Sequence, residues 1–218
     1  MRASGLFIRC VLDSVVFAAV LLLLAACATR DINAPSPAMR SEAPSPHVLQ
    51  AVPVDLTRYM GRWYTIATVP YLNERDYVGS YAEWDLRTDG RIEDRFFGRR
   101  VSFDRPITGG KLVAKVVPGS GGGKWRVFVI WPFEMVVVTV YVDPDYRYTV
   151  RCLEDGSLIW ILSRTPDMND DAYAGLLRRL AAMGIQTGRL RRVPQHPEQI
   201  GLPGFMAPSA PSAPRSGS

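Results

Sequence analysis

The residues able to do chemistry are few, and their spacing assembles no catalyst. The two histidines, His47 and His196, lie outside residues 54–193, the stretch that reads as folded. That removes a Ser-His-Asp triad and any histidine-based zinc site from its interior. Cys152 stands alone there, with no histidine nearby to take its proton, so it is no thiol nucleophile. The run from Gly119 to Lys124 approaches a phosphate-binding loop, but Pro118 occupies the first glycine position and Trp125 follows the lysine. A hairpin loop is the simpler reading. Asp167, Asn169 and Asp171 have calcium-loop spacing without the glycine that the sharp turn needs, and helix capping accounts for them. The other acidic residues fall mainly in turns and beside basic residues, and nothing in their order requires a two-carboxylate hydrolase. No metal site and no cofactor are expected.

An aromatic and cationic pair remains. Gly61-Arg62-Trp63-Tyr64 opens one β-rich run, and Trp160-Ile161-Leu162-Ser163-Arg164-Thr165-Pro166 closes a late one. A closed antiparallel barrel needs a plug at its narrow end. An indole under a guanidinium makes one, because the ring fills volume while the cation stacks on it and caps nearby carbonyls. Gly61, Trp63 and Arg164 are therefore expected to be structural parts of a barrel floor.

The elements that would position them follow from β-rich runs separated by turn chemistry. Runs at 63–69, 77–86, 91–100, 111–117, 124–130, 135–142, 148–153 and 158–164 are divided by Thr88-Asp89-Gly90, the Gly-rich loop 118–123, Asp143-Pro144-Asp145 and Glu154-Asp155-Gly156. This spacing predicts an all-β protein, an eight-stranded antiparallel up-and-down β-barrel. One C-terminal α-helix follows. Tyr173, Leu176, Leu177, Leu180 and Met183 form its apolar stripe, Asp167 or Asn169 caps it, and Gly184 ends it. The stripe should cover the outside of the barrel. A single turn from Asp55 to Met60 leads into the first strand, and residues 185–193 can add a short one.

The flanks differ in kind. Residues 1–26 read as a signal peptide, with Arg2 and Arg9 ahead of a mostly apolar run. Residues 27–53 read as a tether rich in Pro, Ser and Ala, and residues 194–218 as a disordered tail of the same composition. The net charge of +5 is too mild to mark a nucleic-acid surface. Of the three cysteines, Cys10 would leave with the signal. Cys152 is then without a disulfide partner in the folded part.

Two resemblances extend this reading. Leu24-Ala25-Ala26-Cys27 resembles the bacterial lipobox, which implies lipidation of Cys27 and cleavage before it. Ala28, where an aspartate would favour inner-membrane retention, then implies an outer-membrane anchor on the periplasmic face. Residues 54–193 resemble the lipocalins, in particular the bacterial outer-membrane lipoprotein lipocalins. Asp55-Leu56, Tyr59, Gly61, Trp63-Tyr64 and Ile66-Ala67 match the first conserved block. Asp143-Pro144-Asp145-Tyr146-Arg147-Tyr148 falls at the second, and Trp160 to Pro166 at the third. Trp131-Pro132-Phe133 matches the loop before the sixth strand. Asn73-Glu74-Arg75 keeps the acidic-basic pair after the first strand, in different surroundings. The Gly-rich loop and long tail depart from the pattern. The resemblance implies a cavity for fatty acids or lysophospholipids, held for storage or transport in the cell envelope.

Strand alternation gives a candidate lining. Counting inward from Trp63 adds Thr65, Ala67 and Val69; the later strands add Ala82, Trp84, Trp125, Val127, Val129, Tyr148, Val150, Trp160 and Leu162. These are apolar and aromatic, as an acyl-chain pocket requires. Equally, the same side chains could fill a small barrel solid. Arg75, Arg99 and Arg100 are candidates for a lipid head group near the open end, or else a solvated rim. The expected partners are a lipid ligand and, through Cys27, a membrane, with no nucleic acid; monomer and homodimer stay open. A barrel enzyme on a lipid substrate would need an ionisable pair inside the cavity, which the sequence does not display. A structural envelope protein with a filled barrel is the other alternative.

Overall fold

The computed structural model describes residues 49–71, 74–130 and 132–209. The signal peptide, Cys27 and most of the tether lie outside the described residues. Eight antiparallel strands run in sequence order: β1 (Gly61–Thr68), β2 (Tyr77–Leu86), β3 (Arg91–Arg100), β4 (Thr108–Val116), β5 (Lys124–Ile130), β6 (Phe133–Val142), β7 (Tyr148–Leu153) and β8 (Ile159–Ser163). Each pairs with the next, and β1 pairs with both β2 and β8, which closes the barrel the sequence predicts. Closure leaves no free sheet edge.

Local chemistry sets the narrow end. The β2–β3 turn uses Gly90 at φ +77°, and the Asp89 carboxylate accepts the Arg91 N–H at 3.0 Å. In the β6–β7 turn the Asp143 carboxylate accepts the Arg147 N–H at 2.6 Å. The short helix α1 (Leu56–Tyr59) lies at the same end, capped by Asp55, whose carboxylate accepts from Thr57 and Arg58 N–H. The Gly-rich loop is a close-contact device. Val54 N–H donates to the Gly121 carbonyl at 2.9 Å. A Cβ on Gly123 would stand 2.0 Å from the Val52 carbonyl oxygen, so the chain entering the barrel crosses this loop where no side chain fits.

The helix α2 (Asp170–Ala182) is capped by Asn169, which accepts from Ala172 N–H at 2.7 Å. It lays Leu176 and Leu180 on an outer wall built from Ile66, Val138, Val140, Val150, Cys152, Ile159 and Ile161. A second core fills the inside around Tyr59, Trp63, Trp84 and Trp125.

The boundaries at both ends of the folded part move outward. The expected tether already packs at its last residues, where Val52 N–H donates to the Thr139 carbonyl at 2.9 Å. The tail expected to be disordered from residue 194 is ordered through residue 209. β9 (Arg191–Arg192) pairs with β1. The buried Gln195 amide then donates to the Thr65 carbonyl at 2.8 Å and the Ser80 carbonyl at 3.1 Å. Met206 is buried, and Ser209 N–H reaches the Asp76 carboxylate at 2.9 Å. Low-complexity composition hid these few anchoring side chains.

Candidate ligand-binding site

The narrow end is closed by a stack. Trp63 is fully buried, and its indole N–H donates to the Tyr59 carbonyl at 2.8 Å. The Arg164 guanidinium lies 3.8 Å over the Trp63 ring and donates to the carbonyls of Arg62 at 2.9 Å and Arg58 at 2.6 Å. Gly61, at φ +92°, lets the first strand begin directly beside that guanidinium. Tyr59 sits among Trp63, Trp84 and Trp125 at centroid distances of 5.4, 5.1 and 5.9 Å. Its hydroxyl bonds Thr149 Oγ1 at 2.8 Å and Thr139 Oγ1 at 3.2 Å, and burial pushes its pKa up. This end of the barrel is filled by buried aromatic side chains.

The wider half is not. The inward row Ala82, Phe96, Gly110 crosses three strands in register. Ala82 and Phe96 are only half-buried, and a Cβ placed on Gly110 would meet nothing within 4 Å. Leu112, Met135 and Trp160, also on inward rows, are half-buried too. Side chains that face the axis of a closed barrel yet keep exposed surface border a lumen.

The candidate lining divides. Thr65, Trp84, Trp125, Val127 and Leu162 are buried and point inward, with Ala82 and Trp160 half-buried beside them. Val129 is 45% exposed where β5 reaches the open end. Four assignments are corrected, Ala67 and Val69 on β1 and its extension and Tyr148 and Val150 on β7, all of which pack in the outer core. Ala67 packs into the outer core under α2, because a bulge in β1 between Thr65 and Ala67 shifts the alternation by one. Thr68, opposite Trp160, takes the inward phase in its place. Tyr148 also belongs to the outer wall, since β7 has the opposite phase: Thr149 and Arg151 face in, while Val150 and Cys152 face out.

That reversal places a cation inside. Arg151 is 4% exposed and lies 3.8 Å over the Trp125 ring and 4.8 Å over the Trp84 ring. Burial drives its pKa down. The Trp84 indole N–H donates to the Asp94 carboxylate at 2.9 Å. Burial raises the Asp94 pKa, against the attraction of Arg151. Closer to the opening, the Glu74 carboxylate accepts from Tyr71 O–H at 2.7 Å and from the Trp160 indole N–H at 3.1 Å, and burial raises its pKa as well. Ionisable groups therefore do occupy the interior, contrary to what the sequence displays.

The rim arginines do not converge. Arg75 and Arg100 sit at the open end and share Asp76, at 3.9 and 3.7 Å. Arg99 lies two residues beyond Phe97, which stacks on Tyr81 outside the barrel. Sequence reasoning missed Tyr59, Asp94, Glu74 and Arg151 as interior residues. One signal was available: the apolar stripe of α2 demands an apolar outer wall, and Val150 with Cys152 can supply it only if Thr149 and Arg151 turn inward.

Comparison with known proteins follows the same lines. Residues 54–195 match the family model described as a lipocalin-like domain. The chain is 31% identical over 153 residues to temperature-induced lipocalin-1 of Arabidopsis thaliana, covering 65% of this chain and 80% of that protein. It is 31% identical over 144 residues to the outer membrane lipoprotein Blc of Citrobacter freundii, covering 65% and 79%. The fold aligns with apocrustacyanin C2 at a TM-score of 0.53 and 14% identity, over 66% of this chain and 81% of that one. Insecticyanin from the tobacco hornworm Manduca sexta aligns at 0.52 and 18% identity, over 68% and 84%. The closed eight-stranded barrel, its Trp63–Arg164 floor and the matched domain together make this chain a member of the lipocalin family, among the relatives of the bacterial outer-membrane lipoproteins.

Proposed function

We propose that this lipocalin is a carrier, not an enzyme, and that it holds a fatty acid or a lysophospholipid in the wide half of its barrel for storage or transport in the cell envelope. The observation that carries this reading is the half-exposed inward row Ala82–Phe96–Gly110 above a floor of buried aromatic side chains. Burying an acyl chain against such surfaces contributes roughly 25 cal/mol per Å² of apolar area. The sequence around Cys27 and the outer-membrane lipoprotein relatives support an anchor in the outer membrane, facing the periplasm. Two acyl chains or more would hold it there.

Native mass spectrometry tests the proposal. Protein starting after Cys27 should retain a lipid adduct through purification, lose it on extraction, and regain it from one lipid class. A folded, empty protein that takes up none would favour a filled barrel. Hydrolysis of lysophospholipid by the pure protein would favour the enzyme, for which Asp94 and Glu74 would be the groups to replace.

A further inference from the structure

We propose that Arg151 is a buried receptor for one acidic head group, so that a long-chain fatty acid enters this barrel carboxylate first. The inference rests on the carrier reading and goes further, naming the cargo class and its orientation.

The argument starts from an imbalance. Arg151 is almost wholly buried, yet its Nε and Nη2 have no hydrogen-bond partner among the described residues. Leaving buried charged donors unpaired is costly, and proteins seldom keep them without a use. Asp94 is near enough to act on Arg151 electrostatically. It makes no ion pair with it within 4.0 Å, and its carboxylate is engaged by the Trp84 indole instead. The Trp125 and Trp84 rings lie 3.8 and 4.8 Å from the guanidinium carbon and supply no hydrogen-bond acceptor, so Nε and Nη2 are left for a ligand. Nε and Nη2 are adjacent donors on one edge, and together they match the two oxygens of a carboxylate. Both donors are buried as the chain stands, so an entering carboxylate reaches them through a change in the Arg151 side-chain torsions.

Two further observations choose the ligand. The rim cations Arg75 and Arg100 share the single carboxylate of Asp76 and are exposed to water, which weakens their hold on an anion relative to a buried guanidinium. Asp94 and Glu74 face the same interior as Arg151. When ionised, these two carboxylates repel a doubly charged phosphate more strongly than a singly charged carboxylate. The acyl chain then runs outward from Arg151, past Trp160, which pairs with it across the strands, toward the open end.

The test uses the full chain in non-ionic detergent, with native mass spectrometry reading occupancy by palmitic acid, methyl palmitate and 1-palmitoyl lysophosphatidic acid. The expected result is a preference of about tenfold or more for palmitic acid over its methyl ester, the scale of a lost charge-assisted hydrogen bond. Arg151→Met should abolish that preference while ester binding stays, and Arg151→Lys should keep part of it. Equal binding of acid and ester by the unaltered chain would overturn the inference and leave the carrier reading standing. So would an unchanged acid preference in Arg151→Met. A folded chain that binds none of the three probes would remove both. If Arg151→Met does not fold, Arg75→Ala/Arg100→Ala decides: a retained acid preference supports the buried site, and its loss moves the head group to the rim and overturns it.

Discussion

The barrel has two walls that obey opposite rules. Along β2 to β5 the outside is water. The outward residues there form ion pairs with one another and with the starts of the flanking strands, Glu83 with Arg62 of β1 at 2.6 Å, Lys111–Glu93 at 3.5 Å and Arg126 with Glu134 of β6 at 3.1 Å, and the inward residues are Trp84, Ile92, Ala114, Trp125 and Val127. Along β6 to β8 and the far half of β1, the outside is covered by α2. The outward residues there are Val138, Val140, Val150, Cys152 and Ile161, and the inward ones include Thr139, Thr149 and Arg151. The difference teaches that strand polarity marks the side facing water, and that the interior of a binding barrel is one of the sides that can be polar.

The largest break of this comparison is a charge placed under the helix. Val150→Glu places a carboxylate in the apolar core that holds Leu176, Leu180 and Ile161. It should lower stability by about 3 kcal/mol or more, or prevent folding. Arg126→Ala, on the water-facing wall, loses an exposed ion pair and should cost about 1 kcal/mol or less. Urea denaturation of both variants checks the contrast. Similar midpoints would mean that α2 does not seal the wall in solution.

The two walls also explain what the sequence made legible. The strand count and the closing helix can be read because turn residues and periodicity are local, whereas the Trp63–Arg164 pairing is legible only as two matching motifs far apart in the sequence. On the water-facing wall the phase is legible as well: Arg126 between Trp125 and Val127 leaves little choice. On the covered wall, Tyr148-Thr149-Val150-Arg151-Cys152 fits either phase, and only the tertiary position of α2 decides. The β1 bulge that moves Ala67 outside has no signature in Thr65-Ile66-Ala67. Asp94 was hidden for another reason. It lies in a run of consecutive charged residues, Glu93-Asp94-Arg95, where its inward direction depends on the register with Trp84.

The floor tests the filled end against the open half. Arg164→Met keeps bulk over Trp63 and removes both donors to the Arg58 and Arg62 carbonyls. The expected cost is about 1–3 kcal/mol, with lipid uptake in the wide half nearly unchanged. Denaturation and ligand titration on the same sample separate the two effects. A loss of uptake equal to the loss of stability would mean the halves are not independent.

The interior charges give a smaller effect with a definite sign. The folded-state pKa of Asp94 is raised above its ordinary value of 3.8, so the native protein binds more protons than the unfolded chain above that pH. Stability therefore falls as pH rises from there through the raised pKa, with Glu74 adding to the fall from its own ordinary value of 4.5. Asp94→Asn removes one of these two contributions. Its urea midpoint should decline less steeply with pH over that window than that of the unaltered chain. An identical slope would place Asp94 in contact with water.

The smallest expected signal comes from Cys152, the outward neighbour of Arg151. It is fully buried beneath α2, and burial pushes its thiol up to about 12, so neither access nor ionisation favours reaction at pH 8. Alkylation followed by peptide mapping should leave the Cys152 peptide unmodified in the folded protein and modify it fully in urea. Leu180→Ala, which opens a cavity under the helix, should raise its labelling rate before it unfolds the barrel, because the outer core yields first. Labelling would then report on the covered wall alone. Rapid alkylation in the unaltered chain would show α2 lifting off in solution, and the reversed polarity of β7 would lose its physical cause.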